Sequence, residues 1–286
     1  MKVTLKGNGI TAVVDTFAAT IESLVDAKGQ EHYWQYDPAR WPRRTSVCFP
    51  ICGSLKEGVY RQGDGTYELP NHGFLREFDL EIVRQTENEL TTKLVSDETM
   101  KSRYPFDFAY EVAYKADNAA LTVTYTVENT GRETMYYSTG AHYTYALPAG
   151  QAACRYFFDG KQTAGRYVME NGLVADKTGE LLHDEDSLSM DGLFEQGPKI
   201  LEMSDFTSPS IAIGTDAGPV TCVEFHGFPY AILWAPAGNE SPFACIEPWD
   251  GLADAVSNDG VLAHKKGIVA LEPGCKKEYV QVIHLL

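Results

Sequence analysis

Three ionisable side chains sit where an ordinary surface role fits poorly. Glu247 lies in CIEPW, a carboxylate that closes a short apolar run and is followed by Pro248 and Trp249. An acid at the end of a buried strand is costly to desolvate unless another group pairs with it or uses it. His72, in NHGFLR, and His142, in STGAHYTYAL, are the imidazoles that can supply that use. A carboxylate, two imidazoles and an aromatic plane suffice for moving protons on a sugar, because one group accepts, another donates and a third holds the molecule. Taken singly, each also has a plain structural reading: a salt-bridged carboxylate, a core histidine at position 142, and a turn histidine at position 72. Gly140, two residues before His142, marks a close backbone approach or a bulge. His226, in FHGFPY, repeats the His-Gly-Phe order of His72 but reads as part of a strand-to-strand turn. Trp34, Trp41 and Trp234 read as core or rim packing. A two-histidine, one-carboxylate metal site is the alternative use of His72, His142 and Glu247.

These groups lie far apart in the chain, so the elements between them must bring them together. The clearest element is LTVTYTVEN, where Leu121, Val123, Tyr125 and Val127 alternate with polar residues as in a half-buried antiparallel strand. Tyr110–Tyr114 is a second β-rich run, and the turn chemistry of Ala116, Asp117 and Asn118 joins the two as a hairpin. Gly7-Asn8-Gly9, Asp64-Gly65 and Asn129-Thr130-Gly131 punctuate the chain in the same way. No segment of helical period is as convincing. Aromatic residues at 12% and 25 glycines favour a large antiparallel β-sandwich, formed as one domain over residues 1–286. Side chains alternate along a strand, so residues distant in sequence can converge on one concave sheet face.

Composition narrows the function classes. A net charge of -16 argues against nonspecific binding to nucleic acid or to an anionic membrane, both of which need clustered positive charge. The densest acidic stretch, HDEDSLSMD, reads as a solvated loop. MKVTLKGNGI lacks the apolar core of a signal peptide, and no run reaches about 18 apolar residues, which predicts a cytoplasmic protein. The six cysteines (Cys48, Cys52, Cys154, Cys222, Cys245 and Cys275) then read as free, mostly buried thiols. Cys48 and Cys52 have no second close pair to complete a zinc site. No sheet edge is marked for pairing, so a monomer or a weak homodimer is expected.

Six segments in order resemble the aldose 1-epimerases, the galactose-mutarotase-like proteins, and in particular their shorter bacterial branch. They are SVCFPICGSLKEG (Ser46 to Gly58), HGFLR (His72 to Arg76), YPFDF (Tyr104 to Phe108), LTVTYTVEN, TGAHYTYAL (Thr139 to Leu147) and CIEPWDG (Cys245 to Gly251). The resemblance implies a single-domain, all-β antiparallel supersandwich that binds a small-molecule sugar in an open cleft, with no metal and no organic cofactor. It implies Glu247 as catalytic base, His142 as general acid and His72 as the histidine that holds the sugar and orients its ring oxygen. Arg76 matches a substrate-contacting arginine, Arg44 is a softer candidate, and Asp191 is a candidate for the family's sugar-binding aspartate. Trp249 would offer its plane to the C–H face of the sugar. Tyr143 replaces the proline that commonly follows the second histidine, and Ser54 stands where this branch usually has arginine. The implied activity is exchange of the α and β anomers of a hexose. A hexose-6-phosphate 1-epimerase, for which Arg44 and Arg76 would clamp the phosphate, and a non-catalytic carbohydrate-binding or sensing protein are the alternatives.

Overall fold

Alternating apolar residues, rather than long apolar runs, dominate this chain, and they produce strands. The computed structural model describes residues 1–41, 47–147 and 149–286. Among these the only α-helix is the four-residue Glu98–Lys101, capped by Asp97, whose carboxylate accepts from Thr99 N and Met100 N. No helix among the described residues is long and apolar enough to cross a membrane.

The strands form one large antiparallel sheet of 15 strands and three small ones. The hairpin expected from LTVTYTVEN is present as Phe108–Asp117 paired with Ala120–Asn129. Leu121, Val123, Tyr125 and Val127 all point into the core, and Val123 faces Tyr114 across the ladder. The turn sits one residue later than expected: Asn118 and Ala119 are its centre, both at positive φ (51° and 55°). The Asp64-Gly65 turn shifts the other way, to Gly63-Asp64, because Gly63 takes the left-handed position and Gly65 already opens the returning strand. The acidic stretch is not a loop. Its residues up to Ser189 lie in the strand Leu173–Ser189, antiparallel to Arg155–Glu170 with bulges, where His183 N donates to Glu185 Oε2 and Asp184 N to Thr163 Oγ1 while His183 to Asp186 stay exposed to water.

One half of the large sheet builds the functional surface. In hydrogen-bonded order it runs Val47–Cys48, Thr139–Ala141, Phe243–Asp250, Tyr230–Trp234, Lys199–Glu202, Arg155–Glu170. The opposite face of this half rests on an aromatic core containing Tyr110, Tyr114, Tyr125, Tyr145 and Tyr279. Their buried hydroxyls are partnered: Tyr110 with Thr139 Oγ1 at 2.6 Å, Tyr114 to Ala19 O at 2.8 Å, and Tyr125 to Gln281 Oε1 at 3.0 Å. Tyr143 belongs to this core, fully buried and edge-on to Tyr33. Its substitution for proline therefore changes the packing behind His142 and not the cavity lining.

The segment that carries His72 is fastened to the sheet through glycine. His72 N donates to Gly53 O at 2.9 Å, Phe49 N donates to His72 O at 3.2 Å, and Gly73 forms a parallel bridge to Phe49. A Cβ on Gly73, at φ +72°, would stand 2.2 Å from Phe49 O. Gly73→Ala is expected to lower stability by about 2–4 kcal/mol, since backbone strain and steric clash add. Gly63→Ala, also at positive φ but with open space around the Cβ, should cost only about 1 kcal/mol. Urea denaturation of both variants checks this, and equal losses would contradict it.

Candidate active site

The strand Phe243–Asp250 is buried on both faces, and its alternation divides two kinds of side chain. Ala244 and Ile246 join the main core, whereas Cys245, Glu247 and Trp249 lie on the other side, and Glu247 and Trp249 line an open cavity of about 500 Å³. Glu247 is not at the end of its strand, as CIEPW suggested. It pairs with Ile232, Pro248 continues the ladder opposite Ala231, and the strand runs on to Asp250. Gly251, at φ 116°, then turns the chain away. Asp250 anchors this end through Lys277 Nζ at 2.6 Å and Tyr279 Oη at 2.7 Å.

Thr139–Ala141 pairs with the same strand and delivers His142 just past its end. The close approach read from Gly140 is present: a Cβ there would lie 2.2 Å from Trp249 Cδ1. With no side chain in between, the indole lies against the backbone and donates from Nε1 to Ala141 O at 3.2 Å. His142 Nδ1 stands 3.5 Å from Glu247 Oε1 and 3.7 Å from Cys245 Sγ. The first separation is at the outer limit of a hydrogen bond, so the two groups are neighbours that are not locked to each other. The second carboxylate oxygen, Oε2, is buried and has no hydrogen-bond partner among the described residues.

His72 completes the group, its ring 5.1 Å from that of His142 and 5.4 Å from Trp249. Gly53 N–H donates to His72 Nδ1 at 3.1 Å. A ring nitrogen that accepts carries no proton, so Nε2 bears the hydrogen and can donate. Cys48 Sγ lies 3.3 Å from the same Nδ1.

Burial shapes the electrostatics. It pushes the Glu247 carboxyl well above the usual carboxylate range, offset in part by the hydrogen bond from the Cys245 thiol. It pulls His142 down to about 4, against the raising effect of a backbone hydrogen bond, and the positive charge of Arg76 pulls the same way. Both shifts favour uncharged forms, yet neutral Glu247 with neutral His142 carries the same number of protons as the carboxylate with the imidazolium. One proton moving between them interconverts the two states without exchange with solvent.

Arg76 reaches the cavity from the short turn Leu75–Glu77, and Trp249 forms part of its floor. Arg44 lies outside the described residues. Asp191 is not brought to the cavity: it is exposed, and its Oδ1 accepts from Asn239 Nδ2 at 2.5 Å while Asn239 Oδ1 receives Gly192 N–H. Those bonds clamp the turn that follows Leu173–Ser189, and the cavity wall from this region is Gln196 to Pro198. His226 ends its strand in solvent, away from the lining. Trp34, Trp41 and Trp234 pack together as expected, Trp34 on Phe243 and the other two against that cluster at the rim, and Trp41 and Trp234 also line the cavity, meeting edge-on at 5.0 Å. Alternation from Ile232 would have placed Trp234 on this face, and alternation from Glu247 would have placed Cys245 there. Asn71, Met169 and Gln196 carried no comparable signal.

The model of a family described as aldose 1-epimerase matches residues 1–159. The chain belongs to the aldose 1-epimerase family. The matched stretch includes His72 and His142, and it is the fold that sets Glu247 against them. Over its whole length the chain is similar to the chromosomal LacX protein of Lactococcus lactis, 28% identical with 98% of each chain covered. Among solved structures it is similar to a galactose mutarotase related enzyme of Lactobacillus acidophilus, with TM-score 0.93 and 28% identity over 100% of this chain and 97% of that one. A galactose mutarotase-like protein of Lactobacillus casei shares the fold at TM-score 0.93 and 22% identity, each chain covered fully. The all-β antiparallel supersandwich is thus the galactose mutarotase-like fold. All six cysteines are free thiols.

The two pKa shifts act on stability in opposite directions. Folded Glu247 keeps its proton to higher pH than the unfolded chain, whose ordinary value is 4.5; that contribution is full below 4.5 and is lost as pH rises through the folded value. His142 falls from 6.5 to about 4, so its contribution is full above 6.5 and is lost as pH falls toward 4. Glu247→Gln should therefore stabilise the protein more at pH 8 than at pH 5, by about 1–2 kcal/mol. His142→Asn should do the reverse. Urea denaturation at the two pH values checks both, and differences independent of pH would refute the assignment.

Proposed function

We propose that this protein interconverts the α and β anomers of a hexose by opening and closing its ring. The observation that carries this reading is Glu247 beside His142, at 3.5 Å, on the floor of an open cavity that His72 also lines. Ring opening removes the proton from the C1 hydroxyl and delivers one to the ring oxygen as the bond from C1 to that oxygen breaks. Glu247, as carboxylate, takes the first proton, and His142, as imidazolium, gives the second. The site ends with a neutral acid and a neutral imidazole, which is the form that burial favours. Rotation about the C1–C2 bond turns the other face of the aldehyde to the C5 hydroxyl, and the reverse transfers close the ring.

His72, with its proton on Nε2, is suited to donate to the ring oxygen and hold the ring in register. Arg76 supplies a charged donor for hydroxyls, and the Trp249, Trp234 and Trp41 rings supply apolar surface for C–H groups. Arg76 is the only lysine or arginine among the described lining residues.

Anomer exchange of freshly dissolved glucose and galactose, followed by polarimetry or NMR, tests the reading. Glu247→Gln and His142→Asn should each lower kcat/KM by about 10²–10⁴-fold, the usual contribution of one positioned acid or base, while both variants remain folded. Equal rates in the wild type and Glu247→Gln would sink it. Stronger competition by glucose 6-phosphate than by glucose would identify a hexose-6-phosphate 1-epimerase, and sugar binding without any rate effect would make the protein a carbohydrate binder instead.

A further inference from the structure

Cys245 is drawn into the acid–base pair and has no part in the chemistry above. We infer that Cys245, His142 and Glu247 together form a binding site for a soft or borderline divalent cation such as Zn²⁺, Co²⁺ or Cd²⁺, and that an ion bound there blocks the acid–base pair.

The donor set is one thiolate, one imidazole and one carboxylate, a combination that suits d¹⁰ and tetrahedral ions and disfavours Mg²⁺ or Ca²⁺. The geometry agrees. Bonds of about 2.0–2.1 Å to nitrogen, 2.1 Å to oxygen and 2.3 Å to sulfur at a tetrahedral centre set the nitrogen and oxygen about 3.4 Å apart and the nitrogen and sulfur about 3.6 Å apart. Here His142 Nδ1 is 3.5 Å from Glu247 Oε1 and 3.7 Å from Cys245 Sγ. All three ligand atoms lie within 4.8 Å of one another. An independent observation points the same way: Glu247 is 2% exposed, and its Oε2 has no hydrogen-bond partner among the described residues. A cation on Oε1 would offset the charge of this buried carboxylate, whose other oxygen has no donor to do so.

His142, with 18% of its side chain exposed, and Glu247 both line the open cavity, so an ion can enter from the side the sugar would use. On binding, the sulfur–metal bond replaces the S–H bond and the oxygen–metal bond replaces the carboxyl O–H bond of Glu247, and both protons leave to solvent. No electron is transferred. One thiolate and one carboxylate balance the charge of the dication, and a water or a hydroxyl takes the fourth position. The lone pairs that Glu247 and His142 would use in proton transfer are then occupied.

The test is a titration of the whole protein with CoCl2, followed by its visible and ultraviolet spectrum. The expected result is one tetrahedral Co²⁺ per chain with a thiolate-to-metal charge-transfer band, displaced by Zn²⁺. Cys245→Ser should lose the band and weaken Zn²⁺ binding by at least about tenfold, while Cys275→Ser, which removes an exposed thiol, should keep both. A band that survives Cys245→Ser or disappears in Cys275→Ser would overturn the site, as would no band at all in the wild type. X-ray absorption on the Zn²⁺-loaded wild type gives a check that needs no variant, since one sulfur ligand is required and a shell of nitrogen and oxygen alone refutes the assignment. The blocking arm rests on the anomer-exchange reading: submillimolar Zn²⁺ should abolish exchange and a chelator should restore it. Activity unaffected by a spectroscopically occupied site would refute the blocking claim alone.

Discussion

The structure depends on holding a carboxylate in the dry middle of a sheet. Glu247 is held by a strand buried on both sides, with the core behind it and the cavity in front. Desolvation raises its proton affinity and lowers that of His142, so the pair prefers to be uncharged. A surface carboxylate beside a surface histidine would be a screened ion pair with ordinary proton affinities and no reason to pass protons to a ligand. Burial makes the two groups sensitive to what enters the cavity, because any hydroxyl that contacts them replaces the water they have lost.

The surrounding structure can be understood as support for that placement. Gly140 lets the Trp249 indole lie against the neighbouring backbone, which fixes one end of the functional face. Asp250, on the opposite face, is anchored to Lys277 and Tyr279. The cavity wall has its own anchor, a buried pair in which Lys265 Nζ meets Asp254 Oδ1 at 2.8 Å while Asp254 Oδ2 accepts Lys56 N–H at 2.9 Å. Asp254 N donates to Ser54 O and Val174 N donates to Asp254 O, so this single residue ties together three segments that flank the lining. Removing either member of the buried pair would leave a charge without its partner. Ser54, in a position where a larger residue is usual in this branch, bonds to Asn71 Oδ1 at 3.2 Å and leaves that part of the cavity open.

Several features were legible because they follow from local rules. The Leu121 to Val127 alternation is a half-buried strand wherever it occurs, and it formed one. Gly140 announced a close approach. The acidic stretch around Asp184 misled because charge reports contact with water and not backbone conformation. An exposed strand face solvates carboxylates as well as a loop does, and only the partner Arg155–Glu170 decides between them. Asp191 misled for a related reason: its sequence neighbourhood is a turn, and whether a turn residue faces a cavity or Asn239 depends on the rest of the fold.

The sequence by itself determined the strand content, the principal hairpin and the identity of an acid and two imidazoles in unusual settings, since periodicity and burial costs act over a few residues. The tertiary structure alone decided that His142 lies between Glu247 and Cys245, that the Gly53 amide places the His72 proton on Nε2, and that Trp41 and Trp234 face the cavity. The first and third of those facts rest on segments more than a hundred residues apart meeting across a sheet, and the second on an amide 19 residues from His72. Proton affinity and tautomer are properties of the assembled surroundings, and no short stretch of sequence contains them.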